Sequence, residues 1–337
     1  MSKLLLINDL AGYGKVALSA MIPILSHMQY EVCSLPTALV SNTLDYGKFE
    51  ILETTDYMKN TLQVWDALGF QFDAVSTGFI VSRPQTELVR DFCRAQKVKG
   101  TRIFTDPIMG DEGKLYNGVG EETVALMREL IATADYIVPN YTEATYLAGV
   151  PYQCGGTTRE ELYALADKLH ALGAGSVLIT SARMLVDGGW EPIACVVGYD
   201  AAADQHFILP YEELPVRFPG TGDIFSAVFM GHILRGDALK TAAQAAMQTV
   251  SKMLAQNADN QDKYKGIPLE TCLKMACLNP CIKYGFADRK GTIEVGKDAD
   301  LVVISDDYQA QVTYAEGRKV YDRSTEGKIF NADYLNR

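Results

Sequence analysis

The sequence predicts an α/β protein built on a doubly wound, mostly parallel sheet with helices on both faces. Short apolar runs alternate with longer segments of helical periodicity from the N-terminus to about residue 256. Strands separated by helices of this length pair in parallel and are buried on both sides. The chain of 337 residues, 48% of them hydrophobic, also has enough apolar surface for a large core.

The predicted elements follow one another in a regular order. The first strand ends in polar residues, and the helix after it contains Pro23. Two strand-like stretches near the far end of the sheet, 191–200 and 205–210, predict an antiparallel edge. Asp237 is the predicted N-cap of the last helix. The strands are 4–9, 72–80, 101–107, 136–140 and 176–182, and the helices are 14–28, 86–96, 121–134, 141–149, 159–173, the helix after Gly222, and 237–256.

Charge and composition exclude several classes of function. A formal net charge of -11 argues against a general affinity for nucleic acid or an anionic membrane surface, although a local pocket for a phosphate remains possible. The first residues form no long apolar segment, and no later run approaches the roughly 20 apolar residues of a membrane span. Seven cysteines without a secretory signal predict reduced thiols. We therefore expect a cytoplasmic protein with a small-molecule substrate.

Polar, turn-forming residues collect where the predicted strands end. In an open α/β sheet the ligand site lies beyond the carboxyl ends of the strands, so these residues are expected to meet at one rim. They are Asn8 and Asp9, Ser76 to Gly78, Asp106 and Pro107, Pro139 and Asn140, and Thr180 and Ser181.

The stretch RFPGTGDIFSAVF, residues 217–229, places two glycines and an acid directly before a buried helix. Backbone N–H groups freed at such a helix start form a site for an anion such as a phosphate. Asp223 beside them could take the proton of a substrate hydroxyl, which suggests a kinase. The alternative is structural: Asp223, Asn140 and Glu143 are also residue types that cap helices or complement their dipoles.

Several segments resemble, in order and spacing, the pyridoxal kinase group of the ribokinase-like superfamily. The resemblance covers about residues 1–265 and implies a ribokinase-like domain that phosphorylates the 5′-hydroxymethyl group of a vitamin B6 vitamer with ATP. The matching segments are INDLAGYGKVALSAMIPIL (7–25), LVSNTLDYGKF (39–49), TGFI (77–80), TDPIMGD (105–111), IVPNYTEATYL (137–147), LITSA (178–182) and FPGTGDIFSAVFMG (218–231).

The resemblance assigns roles to residues of these segments. Asp223 would be the base that activates the substrate hydroxyl, and the backbone amides of Gly220, Thr221 and Gly222 would form the anion hole. Asp106 and Glu143 would hold Mg²⁺, directly or through water.

Further residues would contact the nucleotide. Asn140 would lie close to the metal, and Asp111 near the phosphates and the metal. Thr180 and Ser181 would contact the nucleotide, with Tyr116 beside it. Whether a monovalent cation such as K⁺ assists is left open, and a homodimer is the family expectation.

The substrate end departs from the family pattern. Many pyridoxal kinases have Gln-Ser-His after the first strand, where this chain has Asn8, Asp9 and Leu10. A carboxylate accepts hydrogen bonds from a pyridinium or an amine, so Asp9 predicts a preference for a cationic vitamer such as pyridoxamine, unless it is only a solvated strand end.

A second departure lies in the following segment. The family's Ser-Asn-His-Thr is Ser41 to Leu44 here, so Thr43 or Tyr46 would supply the missing polar contact. Phe79, in TGFI, completes the expected substrate contacts.

Two alternatives to this function remain. Hydroxymethylpyrimidine kinase shares the fold and the chemistry, but that family generally has a cysteine where this chain has Asp223. A non-catalytic protein of the same fold could bind a vitamer or nucleotide without turnover. The presence of Asp223, Asp106 and Glu143 counts against it, because a binder needs no base.

The C-terminal segment, 266–337, differs from the rest of the chain. It predicts a helix up to about Leu278 and then β segments, with a turn around Glu316 and Gly317. It resembles the end of N-acetylglucosamine-6-phosphate deacetylase, an amidohydrolase. The segment contains no histidine and the chain has no counterpart of that enzyme's metal-binding barrel, so we expect a non-catalytic fragment.

Overall fold

In a computed structural model the chain divides into two compact units, Met1–Pro268 and Leu269–Arg337. The division lies close to residue 265, where the sequence predicts a domain boundary. The structure describes residues 2–116, 119–186, 191–258, 263–266, 281, 287–304, 310–315, 317–322 and 324.

The first unit contains a nine-stranded sheet and a two-stranded hairpin, flanked by helices. Its strands are β1 (Lys3–Tyr13), β2 (Glu31–Asn42), β3 (Ile51–Glu53), β4 (Ala74–Thr77), β5 (Arg102–Thr105), β6 (Gly110–Asp111), β7 (Lys114–Leu115), β8 (Tyr136–Ile137), β9 (Ser176–Met184), β10 (Ile193–Asp200) and β11 (Gln205–Pro210). Its helices are α1 (Leu18–His27), α2 (Thr55–Ala67), α3 (Arg83–Val98), α4 (Glu121–Ile131), α5 (Tyr141–Ala148), α6 (Arg159–Ala171), α7 (Thr221–Leu234) and α8 (Leu239–Gln256).

The large sheet has the order β11-β10-β9-β8-β5-β4-β1-β2-β3. The six strands from β9 to β2 in this order pair in parallel, whereas β10 and β11 on one side and β3 on the other are antiparallel. The predicted fold class and the predicted antiparallel edge are therefore confirmed. The carboxyl ends of β1, β4, β5, β8 and β9 consequently lie along one edge of the sheet.

The core lies on both faces of this sheet. Leu4, Leu5, Leu6 and Ile7 of β1 are fully buried, as expected for a central parallel strand. On one face, Phe229 of α7 lies with its ring centroid 6.3 Å from Phe104 of β5 and 6.0 Å from Tyr136 of β8. These edge-to-face contacts anchor α7 over the middle of the sheet and direct its N-terminus to the edge where the strands end.

Some elements differ from the prediction. Four elements were not predicted from the sequence pattern: β2, β3, α2 and the β6–β7 hairpin. The prediction that Asp237 caps the last helix is wrong, because α8 has Ala238 at its N-cap without a side-chain hydrogen bond. The carboxylate of Asp237 instead contacts Nδ1 of His232 at 2.6 Å.

The second unit contains a three-stranded antiparallel sheet among its described residues. Its strands are β12 (Leu301–Ile304), β13 (Ala310–Ala315) and β14 (Arg318–Asp322), in that order. The predicted turn contains Gly317, with φ +75°, between the paired strands β13 and β14. The helix predicted up to Leu278 lies outside the described residues.

Two predictions from composition concern the whole chain. Among the described residues, no helix combines the length and hydropathy that a membrane crossing requires. The cysteines that the structure describes, Cys33, Cys93, Cys154, Cys195 and Cys281, have free thiols.

Candidate active site

A cavity of about 480 Å³ opens at the edge where the parallel strands end. All but one of the residues assigned to the site from the sequence line it, and the exception is Tyr46. The lining residues predicted from the sequence are Asp9, Thr43, Phe79, Asp106, Asp111, Tyr116, Asn140, Glu143, Thr180, Ser181, Gly220, Thr221, Gly222 and Asp223.

Two glycines lie at the start of α7, Gly220 and Gly222, and the absence of a side chain has a different effect at each. Gly220, the N-cap residue, has φ +85°, and a Cβ added there would lie 2.3 Å from the carbonyl oxygen of Lys15. Only glycine fits this left-handed conformation and this close approach. A Cβ at Gly222, by contrast, would have no heavy atom within 4 Å, so Gly222 leaves space in front of the helix.

Asp223 lies in the first turn of α7 and is held by two donors from the N-terminal part of the chain. Its Oδ2 accepts a hydrogen bond of 2.8 Å from the backbone N–H of Ala17. Its Oδ1 is 3.5 Å from Nδ2 of Asn8. Burial raises the pKa of Asp223 to about 6, although both hydrogen bonds favour the ionised form. The carboxyl is thus oriented and close to its ionisation point near neutral pH.

Asn8 links three segments of the site, a role that the sequence analysis missed. Its Oδ1 accepts hydrogen bonds from the backbone N–H groups of Phe79, at 2.8 Å, and Asp9, at 3.0 Å. A Cβ at Gly78 would lie 2.5 Å from this amide group, so glycine is required beside it. Asn8 therefore connects Asp223 with the loop after β4 that carries Phe79.

Asp9 is a second acid of the cavity, and it lies inside β1, not at its end as the sequence predicted, because β1 continues to Tyr13. The pairing of β1 with β2 is irregular between Asn8 and Leu10, so Asp9 lies at a break in the strand register. Burial, and then the charge of Asp223, raise the pKa of Asp9 to about 7. A cationic group in the cavity would reverse this penalty, because it would favour the ionised carboxylate.

Asp106 and Glu143 form a second acidic pair in the wall of the cavity. Oδ2 of Asp106 accepts a hydrogen bond from the Ser226 hydroxyl at 2.8 Å. Burial and the charge of Asp223 raise the pKa of Asp106. Burial and the charge of Asp106 likewise raise the pKa of Glu143. Negative charge thus accumulates at this point of the cavity.

Glu143 also has the structural role that the sequence left open. With Asn140 it forms a capping box at the start of α5, in which Oε2 accepts from the Asn140 N–H at 2.8 Å. Its Oε1 accepts from the N–H of Met109 at 3.0 Å. Within the described residues, no three His, Cys, Asp or Glu side chains are grouped closely enough to hold a metal ion alone.

Three of the residues predicted to lie near the nucleotide meet where β8 ends beside β9: Asn140 follows β8, and Thr180 and Ser181 lie within β9. Asn140 pairs with Thr180 in an isolated parallel bridge, and its side chain donates to the carbonyl oxygen of Gly110 at 2.8 Å. The next residue, Ser181, has φ +55°, a conformation that costs energy for a residue other than glycine and that is concentrated at functional sites.

Arg217 is a cavity residue that the sequence analysis did not assign. Its guanidinium donates to Oδ2 of Asp111 at 2.8 Å and to Oε1 of Glu112 at 2.7 Å. It thereby ties the β6–β7 hairpin to the loop before α7. Among the described lining residues, Arg217 is the one basic side chain beside six acidic ones. The available signal was its place just before the Pro-Gly-Thr-Gly-Asp turn.

Thr43 lines the cavity, whereas Tyr46 lies outside its lining. The Thr43 hydroxyl donates to the carbonyl oxygen of Tyr264 at 2.7 Å, so it has another partner besides any substrate. Tyr46 packs between Tyr13 and Tyr264, with ring centroids 5.8 Å and 5.6 Å away. Residues 264–266 therefore belong to the surroundings of the site, which the sequence did not indicate.

A doubly wound sheet with a glycine turn and a buried acid at the start of α7 defines a small-molecule kinase of the ribokinase-like fold. The family model described as phosphomethylpyrimidine kinase matches residues 18–267, more than half of the chain. The pyridoxal kinase PdxY of Rubrobacter xylanophilus is 30% identical over 258 residues, which cover 74% of this chain and 86% of the relative.

Solved structures show the same relationship. A putative phosphomethylpyrimidine kinase from Bacteroides thetaiotaomicron, crystallised with pyridoxal, superposes with a TM-score of 0.75 at 36% identity, over 80% of this chain and 94% of that one. Pyridoxal kinase from Lactobacillus plantarum gives a TM-score of 0.71 at 28% identity, over 82% and 96%. The chain belongs to the pyridoxal kinase and phosphomethylpyrimidine kinase family.

Proposed function

We propose that this protein transfers the γ-phosphoryl group of ATP to the 5′-hydroxymethyl group of a vitamin B6 vitamer. The observation that carries the proposal is the position of Asp223, an oriented carboxyl in the first turn of α7, directly after the glycine turn. Relatives named pyridoxal kinase and a related structure with pyridoxal support the choice of substrate. The chain would act in the salvage of pyridoxal 5′-phosphate.

In this reaction Asp223 accepts the proton of the substrate hydroxyl. The Ala17 N–H and the Asn8 amide fix the carboxylate and favour its charged form, as a general base requires. The backbone amides of residues 220–222 face the transferring phosphoryl group at the positive end of the α7 dipole. The open space at Gly222 leaves room for that group.

The acidic pair fits a magnesium ion. Carboxylate oxygens are the hard ligands that Mg²⁺ prefers. Burial, and then a neighbouring acid, raise the pKa of Asp106 and Glu143, and a divalent cation would favour the ionised form of both. Oδ2 of Asp106 accepts a hydrogen bond from Ser226, so Asp106 would bind the ion directly through its other oxygen, Oδ1. Glu143, whose two oxygens each accept a backbone N–H, fits a contact through water. Bound Mg²⁺ would neutralise charge on the ATP phosphates.

The nucleotide would occupy the side of the cavity lined by Thr180, Ser181, Asn140 and Tyr116. Arg217 would compensate phosphate charge there, where the remaining described lining residues are acidic or neutral. Asp111, which binds Arg217 in this structure, lies at the same side and would be close to the phosphates and the metal.

The vitamer would occupy the opposite side, between Asp9, Phe79 and the wall that contains Thr43. Because the pKa of Asp9 is raised to about 7 by burial and by Asp223, a pyridinium or ammonium group beside it would gain from its ionisation. This supports a preference for a cationic vitamer such as pyridoxamine.

The proposal is tested by measuring ADP release with Mg-ATP against pyridoxal, pyridoxine, pyridoxamine and hydroxymethylpyrimidine. Turnover of a vitamer that collapses in Asp223→Ala supports it. Turnover of hydroxymethylpyrimidine alone would replace the vitamer by that substrate, after whose phosphate the matching family model is described. Binding without ADP release would indicate a non-catalytic vitamer- or nucleotide-binding protein.

The C-terminal unit has no catalytic role in this proposal. The family match ends at residue 267, and the described part of the unit is a small antiparallel sheet. A chain ending at Gly266 that keeps full activity and the same oligomeric state would support an appendage without function. A homodimer stays a prediction of the family resemblance, and a cytoplasmic location stays a prediction of the composition and the N-terminal sequence.

A further inference from the structure

The segment 264–266, which we call the clasp, binds two loops of the cavity wall through its backbone. The N–H of Lys15 donates to the carbonyl oxygen of Lys265 at 2.9 Å. The hydroxyl of Thr43 donates to the carbonyl oxygen of Tyr264 at 2.7 Å, although the two residues are 221 positions apart. The clasp thus joins the loop after β1 to the end of β2.

Aromatic and cationic contacts reinforce these two hydrogen bonds. The Tyr264 ring packs edge-on against Tyr46, 5.6 Å between centroids, and Tyr46 packs against Tyr13 at 5.8 Å. The ammonium of Lys265 lies 4.8 Å above the centre of the Tyr13 ring, within the range of a cation–π interaction. Side chains and backbone therefore hold the clasp in the same place.

The fit at Gly266 leaves no room for a side chain. This residue is buried, has φ +81°, and a Cβ there would lie 2.9 Å from the carbonyl oxygen of Lys15. The same oxygen would be 2.3 Å from a Cβ at Gly220. The Lys15 peptide is consequently enclosed between the clasp on one side and the turn of the proposed anion hole on the other.

Lys15 is also two residues from Ala17, whose N–H binds the carboxylate of Asp223. The clasp therefore acts on the short segment that orients the proposed base. Val16, Ala17 and Thr43 themselves line the cavity, so the same contacts define part of its wall. These contacts could not be predicted from the sequence, because residues 257–266 have the composition of a polar junction.

We propose that the clasp is a positioning element of the vitamer site, which fixes the loop 14–17 and thereby the direction of Asp223 and the wall at Thr43. The proposal rests on the proposed kinase function. Its residues do not touch reacting atoms, so their substitution should act on the vitamer and on the base and leave ATP binding intact.

The test uses two pairs of variants in the full chain. Gly266→Ala puts a methyl group against Lys15, whereas Gly236→Ala, at a residue with φ +94° and no atom within 4 Å of the added Cβ, introduces similar backbone strain elsewhere. Thr43→Val removes the hydroxyl that binds Tyr264, and Thr43→Ser keeps it. Melting temperatures show which variants are folded.

We expect Gly266→Ala and Thr43→Val to lower kcat/KM for the vitamer by about tenfold, the effect of one lost hydrogen bond, with KM for ATP changed less than twofold. The acid limb of the kcat/KM profile should also move to higher pH, because a looser Ala17 contact stabilises the Asp223 carboxylate less. Thr43→Ser should keep most of the kcat/KM that Thr43→Val loses. Gly236→Ala should lower the melting temperature without a selective effect on kcat/KM for the vitamer.

Two results would overturn the proposal: equal effects on the ATP and vitamer parameters, or the same kinetics in Gly266→Ala and Gly236→Ala. If Gly266→Ala does not fold, the Thr43 pair decides. If the wild type phosphorylates no vitamer, the proposed function fails independently. The clasp is then tested by pyridoxal binding at equilibrium, where a Thr43→Val variant that binds as well as Thr43→Ser would contradict it.

Discussion

The backbone N–H of Ala17 and the carboxylate of Asp223, 206 residues apart, form a hydrogen bond of 2.8 Å. Ala17 has φ +48°, so the chain adopts an unfavourable conformation where it presents this donor. A charged acceptor strengthens such a bond. The contact explains how an acid in an apolar helix start can remain available as a base.

Replacing Asp223 removes the proposed base. We expect Asp223→Asn to lower kcat by about 10²–10⁴-fold, the usual contribution of general base catalysis, with KM for ATP almost unchanged. The measurement is ADP release with the preferred vitamer. Asp66→Asn, an exposed acid of α2, serves as the control with full activity. A similar loss in both variants would exclude the assigned role.

The pH dependence follows from the same group. Because the base must be ionised and its pKa is raised to about 6, kcat/KM should fall about tenfold per pH unit below that value and level off above it. Asn8→Asp replaces a donor to Asp223 by a second acid, which should move this limb to higher pH. A profile that stays flat between pH 5 and 7 in the wild type would contradict the assignment.

Folding stability should fall with rising pH, whereas kcat/KM should rise. The native state retains a proton on Asp223 that the unfolded chain, with the ordinary value of 3.8, already releases. The contribution of this group to stability is therefore lost as the pH rises from about 4 to about 6. Asp223→Asn should weaken the pH dependence of the melting temperature in that window, and an identical dependence in both proteins would oppose the raised pKa.

Two glycines of the same turn should respond differently to alanine. Gly220→Ala forces a Cβ to within 2.3 Å of the Lys15 carbonyl oxygen, and it should lower the unfolding free energy by about 1–3 kcal/mol and abolish most activity. Gly222→Ala meets no atom within 4 Å and should keep its melting temperature. Thermal denaturation and turnover of both variants decide this, and equal stability would refute the steric argument.

Asp9 should determine the choice among vitamers. Asp9→Ser removes a carboxylate that favours a cation, so the ratio of kcat/KM for pyridoxamine to that for pyridoxal should fall about tenfold, the value of a hydrogen bond to a charged group. KM for ATP in the same variant is the internal control. An unchanged preference among the three vitamers would show that Asp9 does not select the substrate.

Arg217 should matter for ATP and not for the vitamer. Arg217→Gln is expected to raise KM for ATP about threefold to tenfold, a modest effect because the guanidinium is largely exposed. Arg90→Gln is a close control, since Arg90 also bridges two acids, Asp91 and Glu129, but on α3 outside the cavity. Equal values of KM for ATP in the two variants would remove Arg217 from the phosphate site.

Much of the fold was predictable because the spacing of apolar residues within each segment distinguishes the strands from the helices between them. The hairpin β6–β7 was not, since strands of two residues have no measurable period. Asp237 was misassigned as a cap because a sequence cannot show that His232 takes its carboxylate. The local sequence pattern thus predicts helices and strands, but the residue at which a helix begins depends on which neighbouring groups bind the candidate cap.

The candidate site divides in the same way. Residues in compact motifs, such as Asp223 and the glycines before it, were predicted and line the cavity. Asn8, Arg217 and Tyr264 act through partners 71 to 221 positions away, and such pairings are invisible without the fold. Tyr46 was assigned to the substrate and lies instead in the aromatic group beside the wall.

The loop 14–17 has one more consequence, for the rate at which its amide hydrogens exchange with solvent. Loops near glycines usually exchange rapidly, but here the N–H groups of Lys15 and Ala17 are both bonded to distant acceptors. Exchange at Lys15 requires release of Lys265, whereas exchange at Ala17 requires release of Asp223. The exchange rates of these two amides therefore report separately on release of the clasp and on release of Asp223.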